Sequence, residues 1–263
     1  MNVHPNDVPA RRTAFTLLEL LVTIAILIVL SALSFAGFRG LMEAARATTC
    51  VNNMKQIAAT HIALATENGG YLVHPWTSAV NGSDQRNWSE FHTILLSQDF
   101  GWDQPEPEVS ERLRTMSHFR CPTAYALRKS EMAQERNHRG WRTYGLNQKL
   151  GVNLDSDPAQ REWTDGAKTV GEVVAPEKLV LVAEKVWDGS RYPGAISPQP
   201  RPPYADFHGG GFNVAYFDGH VEKHTKDTFL LIGKTLPNGQ KGDWSNPEFS
   251  LMWRGRLTRR NLE

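Results

Sequence analysis

Residues 20–38 read LLVTIAILIVLSALSFAGF, nineteen positions without a charge. A helix needs about 20 apolar residues to cross a hydrocarbon core, so this stretch predicts one membrane-spanning helix. The rest of the chain is of another kind. Mean hydropathy over the 263 residues is -0.43, which excludes a polytopic membrane protein. All eight tryptophans lie beyond residue 75. Lys and Arg number 29 against 28 Asp and Glu, a formal charge of +1, which excludes a strongly basic nucleic-acid binder. With 40% hydrophobic residues there is ample apolar surface to bury, which argues against disorder. The pattern is a polar leader, one apolar helix and a tryptophan-rich head.

The leader, MNVHPNDVPARRTA, lacks the secretory pattern. A secretory signal has an apolar run of about 7–15 residues and a small-residue cleavage site; here the run is longer and no A-x-A follows it before Arg39. Arg11 and Arg12 precede the span and hold that end in the cytoplasm, with the head outside. A twin-arginine signal fits less well, because the run continues directly into more helix. Glu19 stands just inside the run. An intramembrane acid is a functional candidate, against the plain reading of a carboxylate snorkelling to the interface.

Ala14-Phe15-Thr16-Leu17-Leu18-Glu19, followed by the apolar run, resembles the processing site of type IV prepilins and type II secretion pseudopilins. The resemblance implies that a prepilin peptidase cuts between Ala14 and Phe15, that Phe15 is N-methylated and that Glu19 is retained for assembly. The family usually has Gly where this chain has Ala14. Cleavage would leave an ammonium on Phe15 in an apolar setting. A carboxylate from a neighbouring subunit would offset the desolvation of both groups.

C-terminal to the span, Ala47, Val51, Met54, Ala58, Ile62 and Ala65 recur at helical spacing, and Asn68-Gly69-Gly70 supplies a stop. One helix is therefore expected from Phe15 to Asn68, with an ordinary core helix as the plain reading of its second half. Further helices are expected over 87–98 and 105–117. Lys178 to Val186 reads as a strand. Phe212 to Phe217 and His220 to Thr225 read as a hairpin around Asp218-Gly219, in a type I′ turn. Arg191 to Pro203, with five prolines, reads as a surface loop, and Trp253 to Glu263 as a mobile basic tail.

His208, nine residues, then Asp218-Gly219 resembles the H-X9-DG signature of a C-terminal domain found with prepilin-type leaders. Cys50-Val51-Asn52-Asn53-Met54-Lys55-Gln56-Ile57, Cys121-Pro122 and Tyr144-Gly145-Leu146-Asn147 resemble further recurring segments of those proteins. Residues 71–118 and 226–263 carry no such resemblance. On a strand, His220, Glu222 and His224 share one face, and with His208 and Asp218 they form a candidate metal set. The plain alternative is the solvated face of a hairpin. No nucleophile elbow, P-loop or dinucleotide fingerprint occurs.

Cys50 and Cys121 both lie beyond the span, in what would be an oxidising compartment, where thiols pair. A bridge would close a loop of about seventy residues and contribute about 4 kcal/mol in the chain-entropy model; two buried free thiols are the alternative. The expectation is an α+β, pilin-like fold. Residues 1–14 form the leader, 15–38 the transmembrane half of the helix, 39–68 its amphipathic half and 71–263 an extracytoplasmic head with antiparallel sheet. The chain reads as a structural subunit of the inner membrane and not an enzyme, polymerising into a type II secretion pseudopilus or a type IV pilus-like filament. Its partners would be the peptidase, other pilin-like subunits and an assembly platform, with no nucleic acid. A metal ion is the one cofactor left open. The rival readings are a membrane-anchored binding module and a metal-dependent hydrolase.

Overall fold

The computed structural model describes residues 16–74, 120–126, 143–152, 165–185, 195–196, 207–225 and 227–257, with the side chains of 34–37 and 39 outside that set. The Ala14/Phe15 junction, the helices expected over 87–98 and 105–117, and most of the proline-rich loop lie outside it. The chain divides into two compact units, Met1–Ala44 and Ala45–Glu263.

In the first unit the long helix α1 (Leu17–Glu67) begins. Its leucines, isoleucines and valines from Leu17 to Leu33 are all exposed, Leu17 at 81% and Leu33 at 69%. A helix apolar on every side belongs in a surrounding that covers it. The polar side chains of this stretch fit that demand: Thr23 Oγ1 donates to the Leu20 carbonyl at 2.8 Å and Ser31 Oγ to the Leu27 carbonyl at 2.6 Å, so neither hydroxyl needs an outside partner. Among the described residues no helix is long and apolar enough to cross a membrane. The run with described side chains stops at Leu33, whereas the uncharged sequence continues to Phe38.

The second unit contains the rest of α1, which is amphipathic. Cys50, Met54, Ile57, Ala58, His61 and Ala65 are wholly buried. The stripe is therefore turned from the expected one: Met54, Ala58 and Ala65 remain at its centre, while Ala47, Val51 and Ile62 are only partly buried. Cys50 and His61, which a count of aliphatic residues overlooks, occupy the middle. The helix ends where the Gly70 N–H bonds the Ala65 carbonyl at 2.8 Å across Gly69 at φ 67°, the six-to-one bond of a Schellman cap.

Five strands form one sheet: β1 (Tyr144–Asn147), β2 (Val180–Glu184), β3 (Ala195–Ile196), β4 (Phe212–Tyr216) and β5 (Val221–His224), in the order β3-β1-β2-β4-β5. The pairs β1–β2, β2–β4 and β4–β5 are antiparallel; β3 runs parallel to β1. The fold is thus α+β, an N-terminal helix followed by a head built on a mainly antiparallel sheet. β2 is central and buried throughout, as a near-continuous apolar run requires. A register shift between Val180 and Val182 lets both Leu181 and Val182 join the helix-side cluster, with Leu146, Ala215, Phe217 and the α1 stripe. On the opposite face Val180, Phe212, Val214 and Ile196 pack with Phe229, Phe249 and Trp253. The sheet is therefore covered on both faces.

Three expectations change here. Ala195–Ile196 lies within the segment expected as a surface loop, yet it pairs with β1 and Ile196 is buried. The C-terminal segment is not a free tail at its start: helix α2 (Pro247–Arg254) is capped by Asn246, and its Trp253 donates from Nε1 to the Leu230 carbonyl at 3.1 Å. Two apolar side chains of its eight residues, Phe249 and Trp253, are buried, and their burial outweighs the basic character of the segment. The hairpin turn closes through a bond from the Gly219 N–H to the Tyr216 carbonyl, with Gly219 at φ 90°. Asp218-Gly219 therefore takes the last two positions of the turn, not the central two of a type I′ turn; Asp218 Oδ1 accepts from the His220 N–H at 3.1 Å and holds it there.

Candidate functional site

At the start of α1 the sequence Thr16-Leu17-Leu18-Glu19 builds a reciprocal cap. Thr16 Oγ1 accepts from the Glu19 N–H at 3.2 Å, and Glu19 Oε2 accepts from both the Thr16 N–H and the Thr16 hydroxyl, each at 2.9 Å. This is a capping box, in which a Thr and an acid three residues on satisfy two orphan donors of the helix N-terminus. Glu19 thus has a local role that the sequence reading did not give it, although Thr-x-x-Glu before an apolar run is the recognisable signal. Both contacts use Oε2. The processing residues Ala14 and Phe15 lie outside the described residues.

The candidate metal set does not gather. His220 Nδ1 is hydrogen-bonded to Asp218 Oδ1, and the His220 ring stacks on Tyr216, centroids 4.4 Å apart and planes within 4°. His224 Nε2 meets the Tyr216 hydroxyl at 2.8 Å and Glu222 Oε2 at 3.5 Å, with its ring against Phe229. Burial holds the His224 imidazole below the ordinary histidine value, against the pull of Glu222. The β5 side chains on this face are therefore taken up by aromatic packing against β4, not turned toward one point. His208 is elsewhere, nine residues and one strand away from the turn.

His208 lies instead in a buried group with Cys50, Cys121 and Glu184, whose potential ligand atoms are all within 4.8 Å of one another. A disulfide joins Cys50 of α1 to Cys121, with Cα atoms 5.0 Å apart and a sequence separation of 71. Cys121 is positioned by its N–H bonding the Thr143 hydroxyl and begins the helical turn of 122–126. His208 Nε2 sits 3.4 Å from Cys121 Sγ and 2.8 Å from Glu184 Oε1. Glu184 Oε2 accepts from the Asn213 N–H at 2.7 Å. The carboxylate is fully buried, and after burial itself it is the main cause pushing the Tyr144 phenol upward. Asn53 reaches the Tyr144 hydroxyl and the Arg120 carbonyl, and Asn147 donates to the Val180 and Trp253 carbonyls at 2.8 and 3.0 Å. Glu184, Asn53 and Asn147 were not singled out in sequence. Asn53 and Asn147 lie inside segments that resemble a family pattern, whereas Glu184 had no pointer, since a lone acid at the end of an apolar strand carries no spacing signal.

Residues 9–35 match the family model of the prokaryotic N-terminal methylation motif. That motif is a type IV pilin-like signal and supports a pilin-type precursor, in keeping with the N-terminal helix and the head described above. No curated protein and no solved structure matches the chain. The match covers the end of the leader and all but the last three residues of the apolar run; it does not reach the head, so the H-X9-DG resemblance of His208 to Gly219 stands on its own residues.

Proposed function

We infer that the chain is a prepilin-like structural subunit, cut by a prepilin peptidase between Ala14 and Phe15, N-methylated on Phe15, and assembled through its N-terminal helix into a pseudopilus or pilus-like filament. The observation that carries this reading is the coincidence of the matched motif at 9–35 with an α1 surface that is apolar and exposed on every side from Leu17 to Leu33. Before assembly that surface would lie in the inner membrane as a single span to Phe38, the N-terminus cytoplasmic and the head outside. In the filament the helices of neighbouring subunits would cover it.

The capping geometry supports a role for Glu19 in assembly. Its Oε2 holds the Thr16 amide, and its Oε1 takes no partner among the described residues. One carboxylate could then cap its own helix and still receive the Phe15 ammonium of a neighbour. Structural work, not catalysis, is the reading the motif favours; a head that binds a ligand without polymerising is the second reading.

Mass spectrometry of the protein expressed with its peptidase tests the first step: the mature chain is expected to begin at Phe15 and carry one methyl group. An intact Met1, or a cut beyond residue 38, would sink the reading. Glu19→Ala is expected to leave membrane insertion intact and abolish filaments, whereas Glu19→Gln, which keeps the cap, is expected to insert and still fail to assemble. Filaments at the parental yield from both variants would remove Glu19 from the mechanism.

A further inference from the structure

The Cys50–Cys121 bridge lies in the apolar helix-side core, but one side of it meets two ionisable side chains. A disulfide is apolar and packs well against hydrocarbon. Here it is flanked by a carboxylate and an imidazole, both buried, Glu184 with no exposed side-chain surface and His208 with 5%. Burying such a pair is costly, and an ion pair in the interior is often no better than apolar residues of similar volume. Nor does the pair satisfy His208: its Nδ1 is buried with no hydrogen-bond partner. Two sulfurs, one imidazole and one carboxylate are, in contrast, a donor set suited to a tetrahedral zinc centre.

We propose that reduction of the Cys50–Cys121 disulfide opens a buried metal site in which Cys50, Cys121, His208 and Glu184 bind one Zn2+. The elements that bring these residues together are α1, the turn at 121, the end of β2 and the approach to β4, and all four residues lie in the second unit of the fold. The ligand atoms already fall within 4.8 Å of one another. Zn–S bonds of about 2.3 Å and Zn–N or Zn–O bonds of about 2.0–2.2 Å put neighbouring ligands on one tetrahedral ion about 3.3–3.8 Å apart. Breaking the S–S bond lets the sulfurs part to that distance while the backbone elements stay in place. Glu184 is anchored through Oε2 by the Asn213 N–H, while its Oε1 meets the His208 imidazole, and metal binding would exchange that contact for bonds to the ion.

The chemistry balances with a dithiol as reductant. Its thiolate attacks one cysteine sulfur to give a mixed disulfide, and its second thiolate displaces that sulfur, leaving a cyclic disulfide and two cysteine thiols; two electrons and two protons pass to the protein. Zn2+ then replaces the two thiol protons, which are released to solvent. With an imidazole and a carboxylate as the other two ligands, two thiolates and one carboxylate would meet a dication, and the centre would keep one net negative charge. This proposal is independent of filament assembly, because none of its ligands belongs to the N-terminal motif.

The test uses the full chain in detergent, reduced by a dithiol that is then removed, with Co2+ as the spectroscopic probe and Zn2+ as competitor. The reduced protein is expected to take up one Co2+ with thiolate-to-cobalt charge-transfer absorption and the strong visible bands of a tetrahedral ion, both erased by Zn2+. The oxidised protein is expected to show neither. Glu184→Gln, which keeps the acceptor for Asn213, and His208→Gln are expected to weaken Co2+ binding by at least ~10–100-fold. Alkylation of the reduced wild-type chain supplies a readout without substitution: Zn2+ is expected to protect both cysteines. A reduced chain that binds no Co2+ with thiolate character, equal uptake by the oxidised chain, or thiols alkylated at the same rate with and without Zn2+ would each overturn the proposal.

Discussion

The two ends of α1 share one backbone geometry and obey opposite rules. From Leu17 to Leu33 the apolar side chains are exposed among the described residues, and the polar groups there bond locally, Glu19 through Thr16 and the hydroxyls of Thr23 and Ser31 to carbonyls of the preceding turn. From Cys50 to Ala65 one stripe is buried against the sheet, and charged residues such as Lys55 stay outside. In the membrane setting proposed for it, the first stretch would hold as a helix because an apolar medium leaves backbone groups no other partner. The second is stable because the head packs on it, as for most helices in water. A helix can therefore carry two unrelated specifications in series, one addressed to its surroundings and one to its own domain.

The same substitution in each half should give opposite results. Ile57→Asp places an unpaired charge among fully buried neighbours and is expected to cost about 5 kcal/mol or more, enough to prevent the head from folding. Leu27→Asp is expected to leave the head's circular dichroism and tryptophan fluorescence unchanged and to deplete the membrane fraction instead, at about 2.5–3.5 kcal/mol of insertion. Loss of head structure in the Leu27 variant would erase the distinction.

Next in size is the cross-link between the second half and the head. Replacing both Cys50 and Cys121 by Ala is expected to lower the unfolding free energy by about 4 kcal/mol, given the 71-residue separation. Urea unfolding of the oxidised parent and the double variant measures it. A cost below about 1 kcal/mol would mean that packing alone fixes this half of the helix.

Acid should act on the second unit. His74 is buried, its Nε2 bonding the Gln148 carbonyl at 3.2 Å, and burial holds its imidazole down to about 4. The unfolded chain binds this proton near 6.5, so the histidine's contribution is fully present above that pH and is lost as pH falls from about 6.5 to 4. The shift corresponds to about 3 kcal/mol. His74→Gln is expected to flatten that part of the stability profile; an unchanged slope would acquit His74. The smallest expected effect is the reverse control: Leu27→Ala should leave the unfolding of the head within about 0.5 kcal/mol of the parent.

Local features of the fold were legible where one segment decides them. The apolar run, the Asn68-Gly69-Gly70 stop, the strand around Val182 and the Asp218-Gly219 hairpin all follow from short-range chemistry. What escaped depends on partners far away in sequence. Ala195–Ile196 becomes a strand only because β1 offers its edge, and nothing between Pro193 and Pro198 announces it. Trp253 is buried because the carbonyl of Leu230 and the ring of Phe229 await it. His208 read as a hairpin ligand by proximity in sequence, but it meets Glu184 across 24 residues and Cys121 across 87. Pairings of that kind leave no periodicity, and a type of residue without its spacing names no partner.

The helix-side core draws on residues from Cys50 to Phe217, which sets a timetable for biosynthesis. At roughly 5–20 residues per second, the ribosome delivers the last of these residues some 8–30 s after it has finished the buried stripe of α1. Throughout that interval the core around Met54, Ile57 and Ala65 is incomplete, and for about the first 3–11 s of it Cys50 has no Cys121 to join. The first-made segment thus waits for the later ones to complete its core, and in a membrane the apolar run just ahead of the stripe would tether the chain for that delay.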